Sequence, residues 1–421
     1  MENRKQNGND FAMGFQLRWA EEADQDRIAV VRLQCYGSAE KDLELYQKRL
    51  RENPISQPGD FLLAEDKGHA VGTATSLSMQ MCVRGSVIPC QGVAWVGTIK
   101  TMRRRGGGSE GVATTIMKET LRRGREREQI VSALMPFRVS FYEHFGYGII
   151  ERRCEWTLPI SVLPSGPFDG MRFYEPANFD ARAQCLERIN HLGQCDVLRT
   201  PAMWKFCTEQ ARDGLQIVDR PTDDSPVRGS MHLTQQQINA KDHLHVQESV
   251  YEDIAALKRQ LHFLASLRDQ YSTVHLTLPI DVPLNRLLKE TQIPHRPVNH
   301  ATGEARPYSR MQLRVLDHRK FLEALHLPAD ANGSAIVSVH ECEGTVSRFK
   351  LEIQSGKISV SGNTSGAPEF ICSDRTWAAV ACGDLSAGDA LRFGLAEGSS
   401  QAAEILNALG RGPVPFCHEY F

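Results

Sequence analysis

Residues 93–112 read VAWVGTIKTMRRRGGGSEGV. An apolar run ends at Ile99, three arginines and three glycines follow, and an amphipathic segment then begins. That segment, SEGVATTIMKETLRRGRER at 109–127, predicts a helix. Val112, Ile116, Met117 and Leu121 make its apolar stripe, with Lys118, Arg122 and Arg125 outside it. Strand, basic glycine turn and helix, in that order, form a pyrophosphate cradle. Glycines let backbone N–H groups approach a ligand closely, and the helix brings up its positive end. An exposed basic turn accounts for the arginines alone and leaves the glycines and the helix start unexplained. Gly106, Gly108 and Gly111 also spell G-x-G-x-x-G. The dinucleotide version of that pattern needs a strand running straight into the first glycine and an acid about 20 residues later. Here Lys100–Arg105 intervene, and Glu126 and Glu128 fall at a helix end.

Working outward, strands are predicted at FQLRWA (15–20), DFLLAED (60–66), HAVGTATSLSMQMCV (69–83) and SVIPCQGVAWVGTI (86–99), with a turn at Lys67-Gly68. A helix over EEADQDRIAVVRLQCY precedes the second of these. QIVSALM is a further strand, VSFYEHFGYG a short helix stopped by Gly146, and ERRCEWTL the strand after it. Residues 1–157 therefore read as one α/β unit. PISVLPSGPFDG (159–170) is rich in Pro, Gly and Ser and reads as a linker. A second unit occupies 158–300. There SVYEDIAALKRQLHFLASLRDQY is an amphipathic helix with leucines at 257, 261, 264 and 267, a core or interface face. A third unit, 301–421, opens with the strand RMQLRVL and a helix capped by Asp317. Hairpins are expected at Glu343-Gly344 and Ser355-Gly356, and the unit runs to RGPVPFCHEYF.

Bulk properties narrow the function. A chain of 421 residues suggests two or three domains, here of α/β (α+β) class. The net charge of -2 implies no general affinity for nucleic acid or an anionic membrane. No run approaches the roughly 20 apolar residues of a membrane span, and the polar N-terminus reads as a loose leader without a signal core. Eleven scattered cysteines without a C-x-x-C pair suggest reduced thiols in a cytoplasmic protein. No metal-ligand spacing is evident, and HLH at 243–245 reads as a strand or turn.

Arg103-x-x-Gly106-x-Gly108 resembles the (Q/R)-x-x-G-x-(G/A) acetyl-CoA loop of the GNAT N-acetyltransferases. More narrowly, the chain looks like the Eis (enhanced intracellular survival) family. It shares the RRRG opening of the loop and Tyr142-Glu143-His144-Phe145-Gly146-Tyr147-Gly148, together with RMQLRVLDHRKFLEAL and the aromatic end at Phe421. Lys100 and Met102 stand where the family carries proline and a histidine-like residue, and Gly107-Gly108 replace bulkier ones. The resemblance implies two tandem GNAT-type domains, the second degenerate, followed by a sterol-carrier-protein-like α/β domain. It implies acetyl-CoA as acetyl donor and a small polycationic amine, aminoglycoside- or polyamine-like, as acceptor. It also implies a homohexamer.

The same resemblance assigns residues. Backbone amides of Arg104, Arg105, Gly106, Gly107, Gly108 and Ser109, with the Arg103, Arg104 and Arg105 side chains, hold the pyrophosphate. A strand N–H near Thr98, within Val96, Gly97, Thr98 and Ile99, polarises the acetyl carbonyl. Tyr142 is the general acid, a phenol protonated at neutral pH. The α-carboxylate of Phe421 is the general base, its approach stiffened by Pro413 and Pro415. Tyr147 is structural, and His144, an alternative base, is expected to point away from Tyr142. Glu419, and less so Glu40, Asp60 and Glu65, could line an acidic acceptor pocket. Three other readings stay open: a protein lysine or N-terminal acetyltransferase, a non-enzymatic apolar-ligand carrier, and a nicotinamide dehydrogenase.

Overall fold

Tight left-handed turns organise the N-terminal segment. The computed structural model describes residues 15–421 except 38, 104–110, 211–212, 292–302, 363 and 365. The expected leader and the loop residues Arg104, Arg105, Gly106, Gly107, Gly108 and Ser109 lie outside the described residues. The segment runs Phe15–Trp19 (β1), Gln25–Tyr36 (α1), Leu43–Arg51 (α2), Phe61–Asp66 (β2), His69–Val83 (β3) and Ser86–Thr98 (β4). Val112–Glu126 (α3), Val131–Leu134 (β5), Val139–Glu143 (α4) and Gly148–Ile149 (β6) follow. Lys67 and Gly68 take φ of 48° and 80°, and Arg84 and Gly85 take 43° and 86°, so each pair closes a two-residue hairpin whose twist matches its strands. β1 to β4 are antiparallel, and α3 is the crossover that makes β5 parallel to β4.

The middle segment contains Arg152–Pro159 (β7), Met171–Phe173 (β8), Phe179–Leu192 (α5), Gln194–Val197 (β9), Pro201–Gln210 (α6) and Leu215–Asp219 (β10). Gly229–Ile238 (β11), Lys241–Tyr251 (β12), Ile254–Ser266 (α7), Thr273–Pro279 (β13) and Glu304–Ser309 (β14) complete it. The helix expected from Ser249 starts later. Ser249, Val250 and Tyr251 finish β12, and Asp253 caps α7 by accepting from the Ala256 N–H at 2.8 Å. The last segment holds Gln312–Val315 (β15), His318–Ala324 (α8), Gly333–His340 (β16), Val346–Gln354 (β17), Lys357–Ser361 (β18) and Phe370–Ser373 (β19). Asp374–Cys382 (α9), Ala387–Arg392 (α10), Ala396–Gly398 (β20) and Ser400–Leu406 (α11) follow. Asp317 caps α8 as expected.

The strands form three sheets. One runs β1-β2-β3-β4-β5-β15-β6 with β9 also on β3, the second β14-β7-β13-β12-β11-β10-β8, and the third β18-β17-β16-β19-β20. β7 spans the expected boundary at 157/158, and strands from both sides of 300/301 share sheets. β7 lies wholly in the second sheet, β14 joins its edge, β9 reaches back to the first sheet, and β15 is inserted between β5 and β6. One core accordingly joins Met79, Met81 and Val83 of β3 to Val337, Leu351, Trp377 and Leu406 of the last segment.

Candidate active site

The site begins with a strand that loses its neighbour. β4 pairs with β5 only at Cys90–Gly92 opposite Val131–Ala133, whereas it stays paired with β3 through Gly72 and Thr98. Beyond Gly92 the two parallel strands part. Two residues of β4 oppose one of β3 at Trp95, whose φ is 53°, so the strand bulges at the opening. The left-handed region is costly for a bulky residue, and such strain concentrates where a site requires it. The Ile99 N–H donates to Val71 O at 3.0 Å. By strand alternation the Thr98 N–H turns to the opposite, unpaired edge. Gly97 is needed here, because a Cβ would meet Tyr36 Oη at 2.7 Å and Cys35 Cβ at 3.0 Å.

A cleft of 820 Å³ fills the opening. Val96, Gly97 and Thr98 form one wall, Phe137, Arg138, Phe141 and His144 another, and Gly111, Val112 and Ala113 the end. α3 thus points its N-terminus into the cleft with no side-chain cap and no acid in its first turn. Its stripe Val112, Ile116, Met117 and Leu121 is buried, and Gly72 lets it lie close, since a Cβ there would come within 2.7 Å of Ile116. Arg103 lines the cleft, but its guanidinium tacks the chain leaving β4, donating to Thr98 O (3.3 Å) and Cys35 O (3.1 Å).

Tyr142 is 5% exposed and is not among the residues lining the cleft; it packs edge-on against two that are, Phe137 at 5.7 Å and Phe141 at 5.0 Å. Burial raises its phenol above the ordinary tyrosine value, so it stays protonated at neutral pH. Tyr147 is buried, with Oη 2.6 Å from Ser132 Oγ, a structural contact. His144 lies on the cleft wall, its Nδ1 donating to Ser140 O at 2.7 Å. Sequence reasoning missed Tyr36, Phe137 and Arg138. The first two carry no local signal. Arg138 is an exposed cation at the start of α4 that makes no ion pair among the described residues.

The chain end is strapped down. Pro413 O accepts from Arg84 (3.1 Å), Phe416 N–H donates to Gln194 O (3.0 Å), and Cys417 N–H donates to Glu151 (2.9 Å). Arg310 donates to Cys417 O at 2.7 Å and Glu419 O at 2.8 Å. Asp196 takes both the His418 N–H (2.9 Å) and its Nδ1 (2.7 Å), and Arg199 pairs with Glu419. Phe421 packs into the core beside β4: a Cβ on Gly92 would lie 3.2 Å from its ring.

Three of the acids named as acceptor-pocket contributors are otherwise engaged. Glu419 is buried on Arg199, Asp60 binds Arg127 at 2.7 Å, and Glu65 binds Arg27 at 2.6 Å and Arg18 at 3.0 Å. The Glu40 side chain lies outside the described residues. Cys342, Glu343 and Asp374 gather closely enough to hold an ion. Arg314 already sits on Glu343 at 2.5 Å, and the Cys342 N–H on Asp374 at 2.7 Å.

A splayed parallel pair with a bulged strand and an uncapped helix end makes a cleft edged by backbone donors, and sequence comparison assigns it to a family. Residues 16–150 and, separately, 196–315 match the acetyltransferase (GNAT) domain. The two stretches together exceed half of the chain, which belongs to the GNAT N-acetyltransferases, with two GNAT domains and a third C-terminal sheet domain in an Eis-like arrangement. An uncharacterized N-acetyltransferase of Streptomyces avermitilis is 28% identical over 164 residues, 37% of this chain and 38% of that protein's length. A GCN5-related N-acetyltransferase of Anabaena variabilis superposes with TM-score 0.81 at 19% identity, over 97% of this chain and 100% of that one. Eis1 of Mycobacterium abscessus does so with TM-score 0.75 at 20% identity and the same coverage.

Proposed function

We propose that the chain transfers the acetyl group of acetyl-CoA to an amine of a small acceptor, by direct attack in a ternary complex in the N-terminal cleft. One observation carries this reading: the cleft runs from the unpaired edge of β4 at Thr98 to the uncapped, acid-free end of α3. A lining of N–H donors suits a carbonyl oxygen at one end and a pyrophosphate at the other. Arg103 sets the start of the loop, and the amides of Arg104 to Ser109 with the side chains of Arg104 and Arg105 complete the phosphate cradle.

Acetyl-CoA supplies an acyl thioester, whose C–S bond is exchanged for a C–N bond. The Thr98 N–H holds the carbonyl oxygen. Tyr142 gives its proton to the departing sulfur. The Phe421 carboxylate takes the proton released by the amine nitrogen, directly or through water, and both groups are restored from solvent. The Eis-like architecture supports a polycationic acceptor, aminoglycoside- or polyamine-like, and a homohexamer; Phe173 and Leu215, exposed at one end of the second sheet, are apolar surface for such an assembly. Eleven unbridged cysteines suit a reducing cytoplasm.

The test is thiol release from acetyl-CoA with a panel of aminoglycosides and polyamines, for the wild type and for a chain lacking only Phe421. Amine-dependent release that collapses in the shortened chain, with acetyl-CoA binding retained, supports the reading. Equal activity of both chains removes Phe421 as base and brings His144 forward.

A further inference from the structure

Two cavities outside the cleft share the same wall. β12 and β13 are parallel and pair only from His243–Val246 opposite Thr273–Leu276. Past that point Ser249 and Tyr251 on β12 and Leu278 and Pro279 on β13 border a cavity of 270 Å³ closed by Pro413, Val414, Phe416 and His418. Gln247 and Thr277 border another, of 330 Å³, which Phe416 and His418 also line. The C-terminal strap therefore lies at the parting of the second domain's parallel strands, the place that corresponds to the cleft of the first.

The grip there is ionic and buried. Asp196 holds His418 by two bonds, and Arg199, 5% exposed, lies between Glu419 and Glu248. Arg182 closes the row on Glu248 at 2.9 Å. Asp196 sits on β9, which pairs with β3 at Met81 and Cys82. Met79, one alternation further along β3, touches the same Gly92 position as the Phe421 ring. From the His418 clamp to Phe421 is three residues, at most about 11 Å of chain.

We infer that the second GNAT domain serves as the dock for the C-terminal strap, and that Asp196 and Arg199 are positioning residues for the Phe421 carboxylate. This rests on the reading of that carboxylate as the base. A free terminus would sample many positions, whereas a base must stay within hydrogen-bond reach of the amine.

The test uses the full chain, Asp196→Asn, Arg199→Met, and each in a background lacking Phe421. Carboxypeptidase trimming followed by intact-mass measurement reads the dock without any acceptor. Phe421 should be released at least about tenfold faster from either variant, at unchanged acetyl-CoA affinity. With spermine as amine probe, or the best-used amine of the panel if spermine is not acetylated, kcat should fall about 10- to 100-fold with the KM for acetyl-CoA held. Neither substitution should reduce activity further once Phe421 is gone. If Asp196→Asn does not fold, His418→Gln removes the same pair from the strap side. Wild-type trimming and kcat in these variants would overturn the dock. Faster trimming with a kcat indifferent to loss of Phe421 supports the dock and overturns the base reading alone.

Discussion

The molecule contains the same βαβ unit twice, and the copies have opposite fates. In the first, β4 leads through residues 99–111 to α3 and back to β5; in the second, β12 leads through Glu252 and Asp253 alone to α7 and back to β13. Both strand pairs are parallel and part after a few residues. The first keeps a long basic, glycine-rich loop and a bare helix end. The second has no length for a phosphate loop, and Asp253 places a carboxylate on the helix end where a phosphate would sit. The difference lies in the connection, and it turns one opening into a cleft and the other into a seat for the chain's own terminus.

Tyr142→Phe should lower kcat by about 100-fold or more in the thiol-release assay with little change in melting temperature, because the ring remains and only the proton donor is lost. Gly97→Ala should cost about 1–3 kcal/mol of stability in thermal melts and weaken acetyl-CoA binding, since its Cβ has no room beside Tyr36 and Cys35. Asp253→Ala should cost about 1 kcal/mol through loss of the α7 cap, yet leave acetyl-CoA affinity unchanged. Gly111→Asp is the mirror experiment: nothing among the described residues lies within 4 Å of a Cβ there, and the new acid should weaken acetyl-CoA binding by about two- to fivefold by calorimetry. The strap should also carry a pH signature. Burial alone would lower the His418 imidazole, but Asp196 outweighs it and the net shift is upward from 6.5. The pair therefore contributes in full below the unfolded value and fades as pH rises through the folded one. The melting-temperature gap between wild type and His418→Gln should narrow on going to alkaline pH.

Much of the first and third units was legible because their signals are local. Lys67-Gly68 and Ser355-Gly356 take the left-handed conformations their sequences suggest, and the stripe Val112, Ile116, Met117 and Leu121 is buried as the periodicity predicts. The cleft was legible only in part. Thr98 and Arg103 could be placed, but nothing near Tyr36 or Phe137 marks them, since they meet the site through packing. The stiffened approach of the chain end could be read from Pro413 and Pro415, but its anchors could not: Asp196 and His418 are 222 residues apart, and no local rule pairs them. Strand exchange was hidden for the same reason. ERRCEWTL reads as a strand, and only tertiary pairing with Thr273–Pro279 shows which sheet owns it.

The most direct measurement is a calorimetric titration of the full chain with acetyl-CoA. One equivalent per chain, weakened by Gly111→Asp and indifferent to Asp253→Ala, is the predicted result. Two equivalents per chain, or binding that depends on Asp253 and ignores Gly111, would contradict the division of labour between the two units.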